Sequence, residues 1–180
     1  MDSANSAQDM PGMQAPQPTE HHKWLAQLTG TWDGTAEMFM GPDQPPMVSQ
    51  GAVHYRMLGE LWLIGDMETP MDEGAPSMDN IITLGFDPAQ DKFVGSFISP
   101  MMTMMWVYSG SREGDRLVLD AMGPDMAPGA EPGPDGKPRM VPYQDIFELV
   151  SPDEHTLRSQ VQTADGSWFT FNTCTYKRKK

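Results

Sequence analysis

The sequence predicts an all-β fold: a closed antiparallel β-barrel of about ten strands, preceded by one short helix. Three observations carry this. After residue 30 the hydrophobic periodicity changes from about 3.6 to 2 and stays there. The alternating runs are short and separated by hairpin-sized turn signals. No strand–helix–strand spacing occurs, which excludes a doubly wound α/β fold. A meander of this length favours closure, because closure removes exposed sheet edges.

Residues 1–18 (MDSANSAQDMPGMQAPQP) read as a disordered leader. They lack the basic and continuous apolar regions of an export signal, so a cytoplasmic location is expected. A single barrel domain is expected over 19–180. Thr19 can cap a helix whose Trp24, Leu25 and Leu28 recur at three- and four-residue spacing, and Gly30 stops it. In 31–40, Trp32, Gly34, Ala36, Met38 and Met40 share one face and Asp33, Thr35 and Glu37 the other, as in a half-buried strand. Beyond the GPDQPP break come strands at 47–57 and 61–68, then a polar loop at 69–77. Asp87-Pro88 separates 80–86 from 92–99, and Glu113-Gly114-Asp115 joins 104–112 to 116–122. A long Pro/Gly-rich loop is expected over 123–142, since prolines at that density argue against a central strand. Strands resume at 143–150, 156–163 and 167–176.

Composition limits the function. The 180 residues hold 12 Lys+Arg against 25 Asp+Glu, for a net charge of −13. Four of the basic residues are Lys177, Arg178, Lys179 and Lys180, which read as a solubilising terminus. Residues 1–176 therefore hold 8 basic against 25 acidic side chains, a balance of −17. Such a body repels phosphate backbones and anionic membranes, so neither nucleic acid nor membrane is an expected partner. No apolar run is long enough for a transmembrane helix. One cysteine, Cys174, rules out an internal disulfide framework or a Cys-cluster zinc site. Methionine is abundant, at 17 residues, with none after Met140.

The stretch Leu28-Thr29-Gly30-Thr31-Trp32-Asp33-Gly34, a helix end followed by Gly-x-Trp entering the first strand, resembles the signature of lipocalin-like (calycin) barrels. More closely, the chain resembles the bacterial family called domain of unknown function fifteen-seventy-nine. The resemblance is carried by HHKWLAQLTGTWDGTAEMFM, RMLGELWLIGDM, NIITLGFDPAQDKFVGSFISPMMTMMWVYSG and DEHTLRSQVQTADGSWFTFNTCTYKRKK. It implies a lipocalin-like barrel in which Gly30 and Trp32 form a plug at the closed end, and it implies no activity. Related nitrobindin-like barrels bind haem through a histidine in a late strand. Here 167–176 offers only Asn172, Cys174 and Tyr176, and His155 is expected at an exposed turn. That departure argues against haem, and no cofactor is expected.

His54 is mid-strand in register with Val48, Gln50, Ala52, Arg56 and Leu58, while Val53, Tyr55 and Met57 form the opposite face. Either face could be inward. If His54 points in, it could ligate a metal or act as a base; otherwise it is held by one hydrogen bond. Four scattered histidines do not make a zinc site, and no metal is expected. Asp66 shares a face with Trp62 and Ile64, and Asp145 with Tyr143, Phe147 and Leu149. A carboxylate on an aromatic face requires a partner or a raised pKa; Arg56, Arg158, Tyr108 and Asn172 could serve. The MMTMMW cluster could hold Cu(I), but it has no nearby His or Cys, and Met104, Trp106 and Tyr108 on one face suggest a barrel wall.

The expected role is binding of a small apolar or amphipathic molecule in the barrel cavity. Met38, Trp62, Met104, Trp106, Tyr108 and Phe147 would line that cavity, and His54, Arg56 and Asp145 would orient the ligand's polar end. Two alternatives are a cavity isomerase or hydrolase using a His54–Asp145 pair, and an assembly module, such as a homodimer, pairing through exposed apolar strands. No Ser-His-Asp order, P-loop or dinucleotide fingerprint is present, and no catalytic residue is assigned.

Overall fold

All ten alternating segments form strands in the computed structural model, which describes residues 15–41, 44–70, 77–126 and 130–180. The helix α1 (Glu20–Ala26) is followed by β1 (Gly30–Met38), β2 (Met47–Leu58), β3 (Trp62–Thr69), β4 (Met78–Asp87) and β5 (Lys92–Ile98). The second half comprises β6 (Trp106–Glu113), β7 (Arg116–Pro124), β8 (Met140–Ser151), β9 (Glu154–Gln162) and β10 (Trp168–Arg178). Each strand pairs antiparallel with its sequence neighbour, and β1 also pairs with β10, so the sheet closes into a barrel. Residues 1–14, most of the expected leader, lie outside the described residues.

The expected loop over 123–142 is shorter than composition suggests. Met122, Gly123 and Pro124 pair with Pro142, Val141 and Met140, extending the β7–β8 ladder at both strands' outer ends. Pro142 precedes the first β8 residue paired with β9, so the second ladder does not need its missing N–H.

The barrel has two unlike ends. The links β2–β3, β4–β5, β6–β7 and β8–β9 are tight turns at the end where α1 sits. At the other end lie the strand ends that the longer connections join: Met38 and Met47, Thr69 and Met78, Ile98 and Trp106, Pro124 and Met140, and Gln162 and Trp168. The turned end is closed by apolar packing. Trp24, Leu25, Leu28 and Trp32 are buried there with Leu63, Leu84, Phe93, Leu117 and Phe147. The Trp32 indole N–H donates to the Leu28 carbonyl at 2.7 Å, tying the first strand to the chain that follows α1.

Arg178, the last residue of β10, is a structural residue and not part of a solubilising tail. Its guanidinium donates to the carbonyls of Thr29 at 2.6 Å, Gln27 at 2.9 Å and Pro152 at 2.9 Å. It also lies 4.0 Å from the Trp32 ring centroid. Gly30 makes room for it: a Cβ there would sit 2.8 Å from a guanidinium nitrogen, and the φ of +117° is itself costly for other residues. Arg178→Ala should destabilise the fold by about 2–4 kcal/mol, because three carbonyls lose a charged donor. Arg178→Lys should recover less than half of that, since an ammonium cannot reproduce the fork. Urea unfolding of the three proteins tests this, and a loss below about 1 kcal/mol for Arg178→Ala would rule out the closing role.

Candidate functional site

Strand alternation decides what faces the barrel interior. The inner row of β2 is Val53, Tyr55 and Met57, because Val53 pairs with Trp32 on one side and Met67 on the other. His54 and Arg56 therefore project outward. His54 Nδ1 meets the Thr31 hydroxyl at 3.0 Å, and Arg56 pairs with Asp66 at 3.7 Å. Trp62 is also on the outer face, 41% exposed, its ring laid on Gly85, where a Cβ would approach to 2.6 Å. These three are corrections to the expected lining. A glycine on the next strand seats an indole on the outer wall as well as an inner position would. His54 and Asp145 lie on opposite faces of the wall, which removes the pairing that a His54–Asp145 enzyme requires.

The remaining candidates point inward. Trp106, Tyr108 and Phe147 are buried in the interior cluster. Met38 has inward parity but lies at the rim, 46% exposed. Met104 precedes β6 in the 99–105 link and packs, half-buried, against the interior, as does Met102. The Trp106 indole N–H donates to the Met102 sulfur at 3.2 Å, which folds this methionine segment over the mouth.

Polar groups collect between the packed end and this mouth. Asp145 faces inward from β8, between Leu119 of β7 and Ser159 of β9. The Tyr108 hydroxyl donates to its carboxylate at 2.5 Å. Burial raises the Asp145 pKa above the ordinary carboxyl value, against the opposing hydrogen bonds of Ser159 and Tyr108. Yet Asp145 is only partly covered. Asp145 thus sits on the inner wall with part of the residue, taken whole, left uncovered. The Tyr55 hydroxyl and the Asn80 carbonyl oxygen are buried in the inner rows of β2 and β4 with no protein hydrogen-bond partner. Burial drives the Tyr55 and Tyr176 hydroxyl pKa values upward, with Cys174 acting on both in the same direction.

The tyrosine rings rest against the wall because glycines face them. A Cβ at Gly34 would lie 2.6 Å from the Tyr176 ring, and one at Gly65 2.5 Å from the Tyr55 ring. Gly123 seats the Trp106 ring in the same way. Small residues thus set large rings flat on neighbouring strands, where larger neighbours would force them toward the barrel axis.

His155 corrects another expectation. It lies within β9, fully buried, not at an exposed turn. Its ring stacks on Tyr176 with centroids 4.6 Å apart and meets Trp32 edge-on at 4.6 Å, with Tyr55 and Phe147 beyond. Both ring nitrogens lack a hydrogen-bond partner. A late-strand histidine is therefore present, its imidazole packed among aromatic rings. Among the described residues, no group of three or more His, Cys, Asp or Glu is placed to hold a metal ion. Two surface depressions lie away from the interior. One, of about 280 Å³, lies between Gln27, Asp115 and 149–152; the other, of about 190 Å³, lies within 125–139.

Burial lowers the His155 pKa from 6.5 to about 3, the Arg178 charge adding to the effect and the Thr156 backbone opposing it. The fold therefore keeps the imidazole neutral, while the unfolded chain takes up a proton below about 6.5. Stability should fall as pH drops from 6.5 toward 3, by about 1 kcal/mol per unit at the steepest. His155→Phe should remove this acid-side slope. It should also leave the protein equally or more stable at pH 7, by up to about 2 kcal/mol, because two unpartnered nitrogens are replaced by ring carbons. Urea midpoints across pH 4–8 read both effects; an unchanged slope in the variant would assign it elsewhere.

Comparison with known proteins agrees with the barrel architecture. The structure of Rv2717c from M. tuberculosis superposes with a TM-score of 0.57 at 16% identity, covering 91% of this chain and 100% of that one. The S-type phycobiliprotein lyase CPES from Guillardia theta superposes with a TM-score of 0.56 at 11% identity, covering 92% and 99%. A redesigned β-barrel, mFAP0, bound to DFHBI gives 0.44 at 16% identity, covering 84% and 99%. At these identities the likeness to Rv2717c and CPES is one of fold. No curated protein matches the chain. The model of the DUF1579 family, described as a protein of unknown function, matches residues 17–178, and the chain belongs to that family.

Proposed function

We propose that the barrel binds a small amphipathic molecule, entered through the methionine-rich end and held by its polar group near Asp145. The observation that carries this reading is the incompletely covered Asp145 inside the barrel, with Tyr108 bound to it. The unpartnered Tyr55 hydroxyl and Asn80 carbonyl add to it. Leaving a buried polar group unpaired costs about 1–3 kcal/mol, so groups of this kind favour an occupant that pairs them. The end of the barrel built from long connections is where a ligand can pass, and Met38, Met102 and Met104 supply adaptable apolar surface there.

One surface observation favours self-association as a second activity of the same fold. Ile81 pairs with Ile98 on the outer face, and Val107 is exposed on the next strand, with Met105 and Met122 exposed near the same end. Light scattering after size exclusion separates a monomer from such a dimer.

The binding reading is tested with Nile red, a neutral apolar probe, on the full chain. Enhanced fluorescence at about 1:1 stoichiometry is the expected result. Ala36, a small residue with inward parity beside Cys174, provides the blocking variant. Ala36→Trp should reduce binding at least about tenfold while costing about 1–3 kcal/mol of stability from overpacking. Unaltered Nile red binding in Ala36→Trp, with the variant folded by circular dichroism, would move the site out of the barrel.

A further inference from the structure

The charge inside the barrel narrows the ligand class, and this step rests on the binding reading above. Among the described residues, Asp145 is the one acid in the inward rows of the strands. Two cations, Arg112 and Arg178, share inward parity, and both lie at the closed end in existing bonds. Arg112 donates to the Gly114 carbonyl and lies 5.4 Å from the Trp24 ring, while Arg178 is held by Gln27, Thr29 and Pro152. The groups that reach Asp145 are neutral: Tyr108 from β6 and Ser159 from β9, with Tyr176 of β10 within electrostatic range. The interior therefore holds a carboxylate without a cationic partner. It also holds a carbonyl acceptor at Asn80 that no donor meets. The inner rows also carry aromatic rings, among them Tyr108 in direct contact with Asp145, and Tyr143 and Phe147 on the same strand.

An anionic headgroup would find no positive charge here and would face Asp145. A hydroxyl could pair with one acceptor. A protonated amine could donate to the carboxylate and to a second acceptor, and would gain from nearby ring faces. The acidic body, at −13 overall, favours the approach of cations from solution. We propose that the interior site selects amphipathic amines, setting the ammonium group against Asp145 and the apolar tail toward the methionine-lined mouth.

The test compares three ligands of equal chain length, decylamine, decanol and decanoate, as competitors of Nile red on the full chain. Binding is measured at 0.15 M and about 0.5 M NaCl, so that attraction to the acidic surface is screened. Decylamine should bind at least about tenfold more tightly than decanol and decanoate at both salt concentrations, the gain of one well-placed charged hydrogen bond. In Asp145→Asn, which keeps the shape of the side chain, that preference should fall below about threefold. If decanol or decanoate competes as well as decylamine, or the preference disappears at high salt, the amine assignment is overturned while interior binding stands. If Nile red binds but none of the three displaces it, the amine assignment fails as well. If Nile red itself does not bind, the binding reading fails. The wild-type selectivity decides the matter even if Asp145→Asn does not fold.

Discussion

Closure of the barrel depends on Arg178 reaching across the chain. Its partners Gln27 and Thr29 are 151 and 149 residues away in sequence, and Pro152 belongs to the β8–β9 turn. The guanidinium therefore joins the helix exit, the β8–β9 turn and the last strand at one point. It does so against the face of Trp32, so a charge that would be costly in an apolar plug is met by carbonyl oxygens and an aromatic ring. The adjoining β1–β10 ladder is the pairing that turns a meander into a barrel. Without it, two long edges would offer unpaired backbone groups to other chains. Bringing the chain's ends together is entropically costly, and a charged donor shared among three segments offsets part of that cost.

Once the end is closed, the interior divides by chemistry. Beneath α1, leucines and aromatic rings fill the space, and even His155 is packed as a neutral ring. Further along the axis the side chains change. Glycines at 34, 65 and 123 let rings lie against the wall, and Asp145, Tyr108, Ser159 and Asn80 bring polar atoms inward. Two titratable groups of the inner wall, His155 and Asp145, oppose each other in their pH response. The neutral form of His155 is favoured, so the fold loses stability toward acid. Burial raises the Asp145 pKa, so that group's contribution to stability falls as pH rises from 3.8 through the raised folded value. A protein tuned for stability alone would gain by replacing both with apolar residues, and for His155 packing offers no reason to keep its nitrogens. For Asp145 the proposed binding role gives one: its carboxyl would be paired by a group that enters the barrel.

The fold was legible in the sequence because period-2 alternation and turn residues act locally. All ten expected strands form, with shifted ends where β6 starts at Trp106 and where β7 and β8 reach into 123–142, and Gly-x-Trp at 30–32 marked the first strand's start. Sites depend on which face turns inward, and that was legible only where one face was clearly apolar. Trp106, Tyr108, Asp145 and Phe147 met that condition, and all four point in. The strand carrying His54 did not, since Val53, Tyr55 and Met57 oppose a row that mixes His54 and Arg56 with Ala52 and Leu58. Trp62 misled through size, because nothing local reveals that Gly85 offers it a seat on the outside. His155 follows the Ser151-Pro152-Asp153 turn signal, and its burial comes from β10 and β1 closing over it, a contact between distant segments. Arg178 was hidden among lysines in a basic tail. A signal was available: in 177–180 it is the one residue able to make a planar fork, and it falls where β10 alternation continues inward from Tyr176.

The methionine excess acquires a physical place from this division. A closed end held by Arg178, Trp32 and fixed rings is rigid, with tight turns between its strands. The opposite end is built from long connections, where Met38, Met102 and Met104 meet the interior and Met40, Met47, Met101 and Met105 are exposed nearby. Unbranched thioether side chains cover apolar surface without committing to one shape. A solid core has little use for that property at its rim, where water competes for contact and each ordered methionine loses rotamer freedom. In the proposed binding role, a mouth that opens for a molecule and closes over its tail would have use for it. Rigid closure at one end and adaptable closure at the other leave the partly covered carboxyl between them, and the fold's asymmetry converges on Asp145.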